Sequence, residues 1–490
     1  MVNREKTEES LDPEEWDKLI ALGHRMLDDM MNHLRNIAAH PFNMPTENAI
    51  SEICVPLTSE GEGEEKVYEI FQKYIRPYLV QNISPRFWGV VAGTGSPYGM
   101  LAEMLAGGVN SFLETIDASW YVHQQVIEWT KALLGYPTEA GGVLVSGGSE
   151  ANFTGLAVAR NTKAEGDVKK KGVQSLTREM TLYVSEEGHH CLERSVELLG
   201  LGNEALRWIA ADDDCKIKLS ALKNAINEDR KQNKHPFCII GCAGTVNSGA
   251  FDPLNALADL AAKEKMWFHV DGAFGAWVKI SKTHQHLANG LERADSLAVD
   301  FHKWMYMPYG IGCTLVKDRF AHFGTFAYGH EAQYLKSELE IIEELGSSPD
   351  FLALPLSRTF LSLKAYMLLR AYGKEKYSRL IQQNIDQINY LAELIRKEPE
   401  MEITTPITSN IVCFRYKPDG LTEKELEKLN KRIAKEFNAM SFWMISDTTI
   451  KGKYMLRVCN TNHRSTRKDF DYLVTEVKKI GEQQNIHLIK

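Results

Sequence analysis

FCIIGCAGTVNSGAFDPLNALADLAAKEKMWFHVDG, residues 237–272, contains a strand, a helix and a second strand in one run. Its two ends, FCIIGCA and WFHV, are short apolar runs of the kind that a strand covered on both faces requires. Between them Asp252 and Pro253 supply an N-cap and a first-turn proline, and Leu254, Leu257, Leu260 and Ala261 follow at helical spacing. A strand, a crossover helix and a strand make the unit of a parallel sheet, so an α/β fold is expected.

The pattern extends in both directions. GVLV (142–145) precedes a helical stretch from Glu150 to Arg160, and TLYVS (181–185) and SLAV (296–299) are further apolar runs. From about residue 100 to 375 the chain therefore reads as a mostly parallel sheet with crossover helices. After Arg370 a long helical stretch leads to NIVCFRY and YMLRVCN, which read as strands, and to LTEKELEKLNKRIAKEF and DFDYLVTEVKKIG, which read as helices. At the other end, Asp12-Pro13 announces a helix with Leu19, Leu22, Met26, Met30, Leu34 and Ile37 along one stripe. A terminal stripe of this kind often packs on a second copy, which points to a homodimer. The expected organisation is an N-terminal helical segment (1–100), a large domain (101–375) and a small C-terminal α/β domain (376–490).

Composition narrows the class. At 490 residues, with 44% hydrophobic and 25% charged residues, the chain is long enough to enclose a shielded site and is neither disordered nor fibrous in character. A net charge of -8 with no basic stripe argues against nucleic acid as a partner. The acidic start, MVNREKTEESLDPEEW, is unlike a signal peptide, and no apolar run approaches membrane-spanning length, so no membrane association and a cytoplasmic location are expected. Eight cysteines without a CxxC pair, and a His189-His190-Cys191 run whose neighbours point in different directions, argue for reduced thiols and no metal.

Ligands of open α/β sheets bind beyond the carboxyl ends of strands. There GVLV gives way to Ser146-Gly147-Gly148-Ser149-Glu150 and a helix, an anion cradle suited to phosphate. WFHV ends at Asp271, beside Gly272-Ala273-Phe274-Gly275; SLAV ends at Asp300-Phe301-His302-Lys303-Trp304; and the other two ends carry Glu186 to His190 and Gly244-Thr245-Val246-Asn247. Each has an ordinary reading alone: a tight turn, a helix cap, a lysine reaching solvent. Together a phosphate cradle, an acid and a lysine suit a cofactor with a phosphate, a pyridine nitrogen and an aldehyde, which is pyridoxal 5'-phosphate.

VSGGSEANFTGLAVARN (145–161), HVDGAFGAW (269–277) and DFHKWMYMPYG (300–310) resemble the group II pyridoxal-phosphate-dependent decarboxylases, which include the aromatic-L-amino-acid decarboxylases. The similarity runs from about Pro85 to Lys364. It implies the dimeric aspartate-aminotransferase-like fold (fold type I), with a mostly parallel seven-stranded sheet in the large domain. It also implies that Lys303 carries the cofactor as a Schiff base, that Asp271 partners the pyridine nitrogen, and that Ala273 and His189 lie against the two ring faces. His189 fits the register better than His190, because Glu193 and Arg194 follow as in the family pattern. Gly148, Ser149 and His302 match phosphate contacts, Arg358 in LPLSRTF matches an arginine at the substrate end, and Tyr334 in a matched YLK motif is the expected proton donor. Two departures stand out. Asp300 replaces a frequent Asn, and Val246 replaces a frequent Thr, so a hydroxyl contact near the ring is either lost or moved to Thr245. Desolvation is expected to help Lys303 shed its proton.

For the substrate, Ser84-Pro-Arg-Phe-Trp-Gly-Val-Val looks like the family's pocket wall and offers Phe87, Trp88, Val90 and Val91. Apolar walls favour an aromatic side chain over a dicarboxylic one. Core packing is the equal alternative for Phe87 and Trp88, and Arg86 is the cation that a glutamate or sulfinoalanine substrate would need. An aldehyde synthase of the same fold and a cofactor-free regulatory paralogue are the rivals; Tyr334 discriminates the first, and the presence of Lys303 and Asp271 argues against the second.

Overall fold

The computed structural model of this chain describes residues 9–111, 117–327 and 351–489. It divides into two compact units, the first ending at Ser84 and the second beginning at Pro85. In the first unit the helix begins at Trp16, with Glu15 rather than Asp12 at the N-cap and no side-chain cap, and runs to Arg35. Of its apolar stripe Leu22 is buried, whereas Leu19 and Met26 are exposed.

The second unit is built on two sheets. The larger has seven strands: β1 (Gly141–Val145), β2 (Met180–Ser185), β3 (Leu206–Ile209), β4 (His235–Cys242), β5 (Trp267–Asp271), β6 (Ser296–Asp300) and β7 (Gly312–Val316). Their order is β1-β7-β6-β5-β4-β2-β3. Pairing is parallel from β3 through β6, and β7 runs antiparallel to both its neighbours, β1 and β6. The sheet is thus the mostly parallel, seven-stranded one expected. β3 and β7 had no counterpart among the expected strands.

Every residue of β2, β5, β6 and β7 is buried, as strands covered on both faces must be. Helix Gly148–Lys163 packs across β5, β6 and β7 on one face, and helix Leu254–Glu264 packs on β4 and β5. The latter starts one residue after the expected position, with Pro253 at its N-cap. Asp252 is not the cap. Its buried carboxylate accepts the N–H groups of Ile217 (2.7 Å) and Cys242 (2.8 Å), tying the end of β4 to a neighbouring loop.

The smaller sheet, β10 (Ser446–Ile450), β11 (Lys453–Cys459), β9 (Ile411–Tyr416) and β8 (Met401–Ile403) in that spatial order, is antiparallel throughout. Helix Glu423–Ala439 opens with a capping box between Thr422 and Glu425 and covers this sheet together with helix Arg467–Ile489. Helix Leu361–Lys397 runs across residue 375 and is broken at Gly373, whose φ of 67° suits a residue without Cβ. Among the described residues no helix is long and apolar enough to cross a membrane.

Candidate active site

The carboxyl ends of β1, β2, β4, β5 and β6 converge on a cavity of about 340 Å³, in the range of small-molecule sites. The sheet pattern brings together Gly148, Ser149, His189, Thr245, Asp271, Ala273, His302 and Lys303, and all of them line it. Val91 lines it as well.

Helix Gly148–Lys163 points its N-terminus into the cavity. Glu150 steadies the entry by accepting the Ser146 N–H (2.8 Å) and hydroxyl (2.6 Å). The glycines there are dictated by crowding: a Cβ on Gly148 would lie 2.7 Å from Asp300 Oδ2 and 3.1 Å from Ala273 Cβ, and one on Gly147 would lie 3.1 Å from His302 Cε1. The backbone therefore approaches the next strand ends closely and presents first-turn N–H groups to an anion.

Asp271 ends β5, is 8% exposed, and accepts the Ala273 N–H on Oδ1 at 3.1 Å. That bond holds the carboxylate at the strand end, where it can meet a cationic ring nitrogen. His189 follows β2; its Nδ1 accepts the Cys191 N–H (3.1 Å), so in the neutral ring the proton sits on Nε2. Burial draws this imidazole below its ordinary pKa, with the Lys303 charge adding to the effect and Asp271 opposing it. His190 is largely exposed, which agrees with His189 as the residue facing the site.

Lys303 Nζ lies 3.0 Å from Asp300 Oδ2, and His302 Nε2 is 3.7 Å from the same oxygen. His302 Nδ1 bonds the Ile311 carbonyl at 3.0 Å, and its ring packs on Tyr309. Burial alone would lower the Lys303 pKa, but the charge of Asp300 and its hydrogen bond outweigh burial and raise it. This corrects the expectation that desolvation frees the amine: the Asp300 carboxylate beside it favours the protonated form.

Other expectations also change. Trp88 is fully buried, stacks on Phe470 and donates its indole N–H to Ser465 Oγ at 3.1 Å. Phe87 is buried too, and neither residue lines the cavity. The reason lies in the backbone: Met444 N–H donates to the Arg86 carbonyl, Trp88 N–H to the Met444 carbonyl, and Cys459 N–H to the Trp88 carbonyl. This lacing turns residues 86–88 into an added edge of the small sheet's core. Arg86 is held by Asp469 (2.9 Å) and lies over the Trp443 ring, while Val90 is exposed. Arg358 is not at the cavity wall; it donates to the carbonyls of Pro355 and Leu144, bracing β1. The Thr245 hydroxyl is engaged with Ser248 Oγ (2.9 Å) and the Ala250 N–H (3.1 Å), so it shapes its own turn. Tyr334 lies outside the described residues.

Sequence reasoning did not assign Asn152, Cys191 or Glu187 to the wall. Asn152 is one turn into its helix, where only helical spacing from the strand end could have pointed to it, and Cys191 opens the helix that follows β2. Glu187, two residues before His189, had been quoted only as part of a strand end.

A flat ligand bearing a phosphate, a ring nitrogen and a carbonyl fits these residues. The helix N-terminus would take the phosphate, Asp271 the ring nitrogen and Lys303 the carbonyl carbon. Asp300 Oδ1, buried and without a hydrogen-bond partner among the described residues, faces the glycine cradle.

Comparison with known proteins gives four findings. The family described as "Pyridoxal-dependent decarboxylase conserved domain" matches residues 47–417. The chain is 31% identical over 477 residues to an aromatic-L-amino-acid decarboxylase of Bacillus atrophaeus, covering 96% of this chain and 97% of that one. It is 27% identical to the cysteine sulfinic acid decarboxylase of Homo sapiens, covering 87% of this chain and 88% of the other. In three dimensions it is similar to the Oryza sativa protein TDC solved with PLP and tryptamine, with a TM-score of 0.89, 21% identity and coverage of 97% and 100%.

Proposed function

Because the chain belongs to the pyridoxal-dependent decarboxylase family, a carboxy-lyase family that works with pyridoxal 5'-phosphate, we propose that it converts an aromatic L-amino acid to its amine and carbon dioxide. When bound, the cofactor supplies an electron sink for the pair left on Cα as carbon dioxide departs. The chain's own groups do the rest. Lys303 is the residue that would hold the cofactor through its carbonyl carbon and yield that place to the substrate amine. Asp271 keeps a proton on the ring nitrogen, because a carboxylate next to a cation favours the charged form. The N–H groups and hydroxyl at Gly148 and Ser149, with His302, hold the phosphate. Ala273 and His189, both at the cavity wall, would flank the cofactor's ring. Tyr334 returns the proton to Cα, with His189 positioning it or sharing that role.

The aromatic reading is carried by the charge of the wall. Among the described residues lining the cavity Lys303 is the one Lys or Arg, while Glu150, Glu187, Asp271 and Asp300 are acidic. Arg86, the cation that a second substrate carboxylate would need, is committed to Asp469. A distal carboxylate would therefore enter a wall without a partner cation. Incubating the loaded protein with each L-amino acid and weighing the products tests this: amines from tryptophan, tyrosine, phenylalanine or DOPA support it, and turnover of glutamate or sulfinoalanine alone refutes it. The same reading makes the working species a cytoplasmic homodimer, which sedimentation and cell fractionation check.

A further inference from the structure

We propose that Asp300 is a counter-ion latch, which in the cofactor-free protein stores Lys303 as a tethered ammonium and so controls how fast the cofactor is captured. The inference rests on Lys303 as the cofactor lysine. Three features of the geometry carry it. Asp300 is 1% exposed, and its Oδ2 sits 3.0 Å from Lys303 Nζ. Its backbone is fixed on both sides, its N–H bonding the Ala273 carbonyl (2.8 Å) and its carbonyl accepting the Trp277 indole N–H (2.8 Å), so the carboxylate cannot swing out to water. It is also walled in by Gly147, Gly148 and Gly312, a Cβ at Gly312 lying 2.8 Å from Oδ1, and among the described residues that oxygen has no hydrogen-bond donor.

A buried carboxylate with an orphan oxygen needs a cation, and among the described residues Lys303 is the one in hydrogen-bond reach. Other ionisable groups face the pair from every side: His302 from the same strand end, Asp271 from β5, His189 and Cys191 from the segment after β2, Tyr309, and Cys459 from β11. Among them Asp271 is the other carboxylate acting on Lys303, and no hydrogen bond joins the two.

The chemical consequence follows from proton balance. Lys303 must release one proton to solvent before its nitrogen lone pair can attack the cofactor's aldehyde carbon; the C=N bond then forms and the carbonyl oxygen leaves as water. Asp300 disfavours that first release.

The test reads Lys303 without the cofactor. The cofactor-free, full-length protein is labelled with trace acetic anhydride from pH 6 to 11, and acetylation of the Lys303 peptide is followed by mass against peptides carrying exposed lysines. In the native protein Lys303 should label with a midpoint above that of the exposed lysines. In Asp300→Asn and Asp300→Ser, checked for native circular dichroism, its midpoint should fall by at least one pH unit, and at neutral pH both labelling and pyridoxal-phosphate capture should accelerate at least tenfold. A native midpoint below the exposed lysines, or variants with unchanged profiles, overturns the latch. Borohydride trapping of the cofactor on a different lysine would instead overturn the assignment of Lys303, a separate result that the labelling profile does not affect.

Discussion

Asp271→Asn keeps the shape of the side chain at the end of β5 and removes its charge. The bond from the Ala273 N–H to Oδ1 (3.1 Å) can be retained by the amide oxygen, so the strand end should hold its form. What is lost is the attraction between a carboxylate and a protonated ring nitrogen. At 8% exposure the pair is screened as in a protein interior rather than in water, and opposite charges about 4 Å apart at an effective dielectric near 20 are worth about 4 kcal/mol. If the chemical step draws fully on that interaction, the barrier rises by the same amount and kcat falls about 10³-fold, at about 1.4 kcal/mol per decade. The assay is amine formation at saturating cofactor, with cofactor content measured by absorbance and folding by the thermal midpoint. A variant that is folded, fully loaded and within tenfold of native kcat would refute the role given to Asp271.

Trp88→Phe should lower the unfolding free energy by about 2 kcal/mol, from lost contacts and the lost indole bond to Ser465, and leave the ranking of amino-acid substrates unchanged; a changed ranking with unchanged stability would return Trp88 to the substrate wall. Acid should weaken the fold through His269, which bonds Ser296 Oγ (2.7 Å) and Asn152 Oδ1 (2.8 Å) in full burial and is held down to a pKa of about 4. Since the unfolded imidazole binds its proton near pH 6.5, stability is lost as pH falls from 6.5 and the loss is complete below 4, amounting to about 3 kcal/mol; denaturant unfolding in which His269→Gln shows the same slope over that window as the native chain would contradict it. Tyr334→Phe should slow amine formation and divert product to aldehyde, ammonia and peroxide, and native-rate amine without peroxide would pass the proton-donor role to His189.

The sheet and its site were legible because each strand end that bears chemistry follows an apolar run, and a parallel sheet gathers such ends on one side. β7 escaped notice because GCTLV is brief and follows a turn-rich stretch, with nothing in its own letters to say that it inserts antiparallel between β1 and β6. β3, LRWI, is an edge strand with a half-exposed middle, so it lacks the apolar run that marked the others. Phe87 and Trp88 were ambiguous for a different reason. Their burial depends on main-chain bonds to Met444 and Cys459, more than 350 residues away, and local pattern carries no trace of such pairing. The Asp300–Lys303 ion pair lies between these cases: the spacing was visible, but only coordinates show that the two side chains turn toward each other.

The account stands on Lys303 as the residue that holds the cofactor. Reducing the loaded protein with borohydride, digesting it and weighing its peptides tests that directly. The account predicts one pyridoxyl adduct, on the Lys303 peptide, and none in Lys303→Ala. An adduct on another lysine, or one that persists at native level in Lys303→Ala, would contradict it.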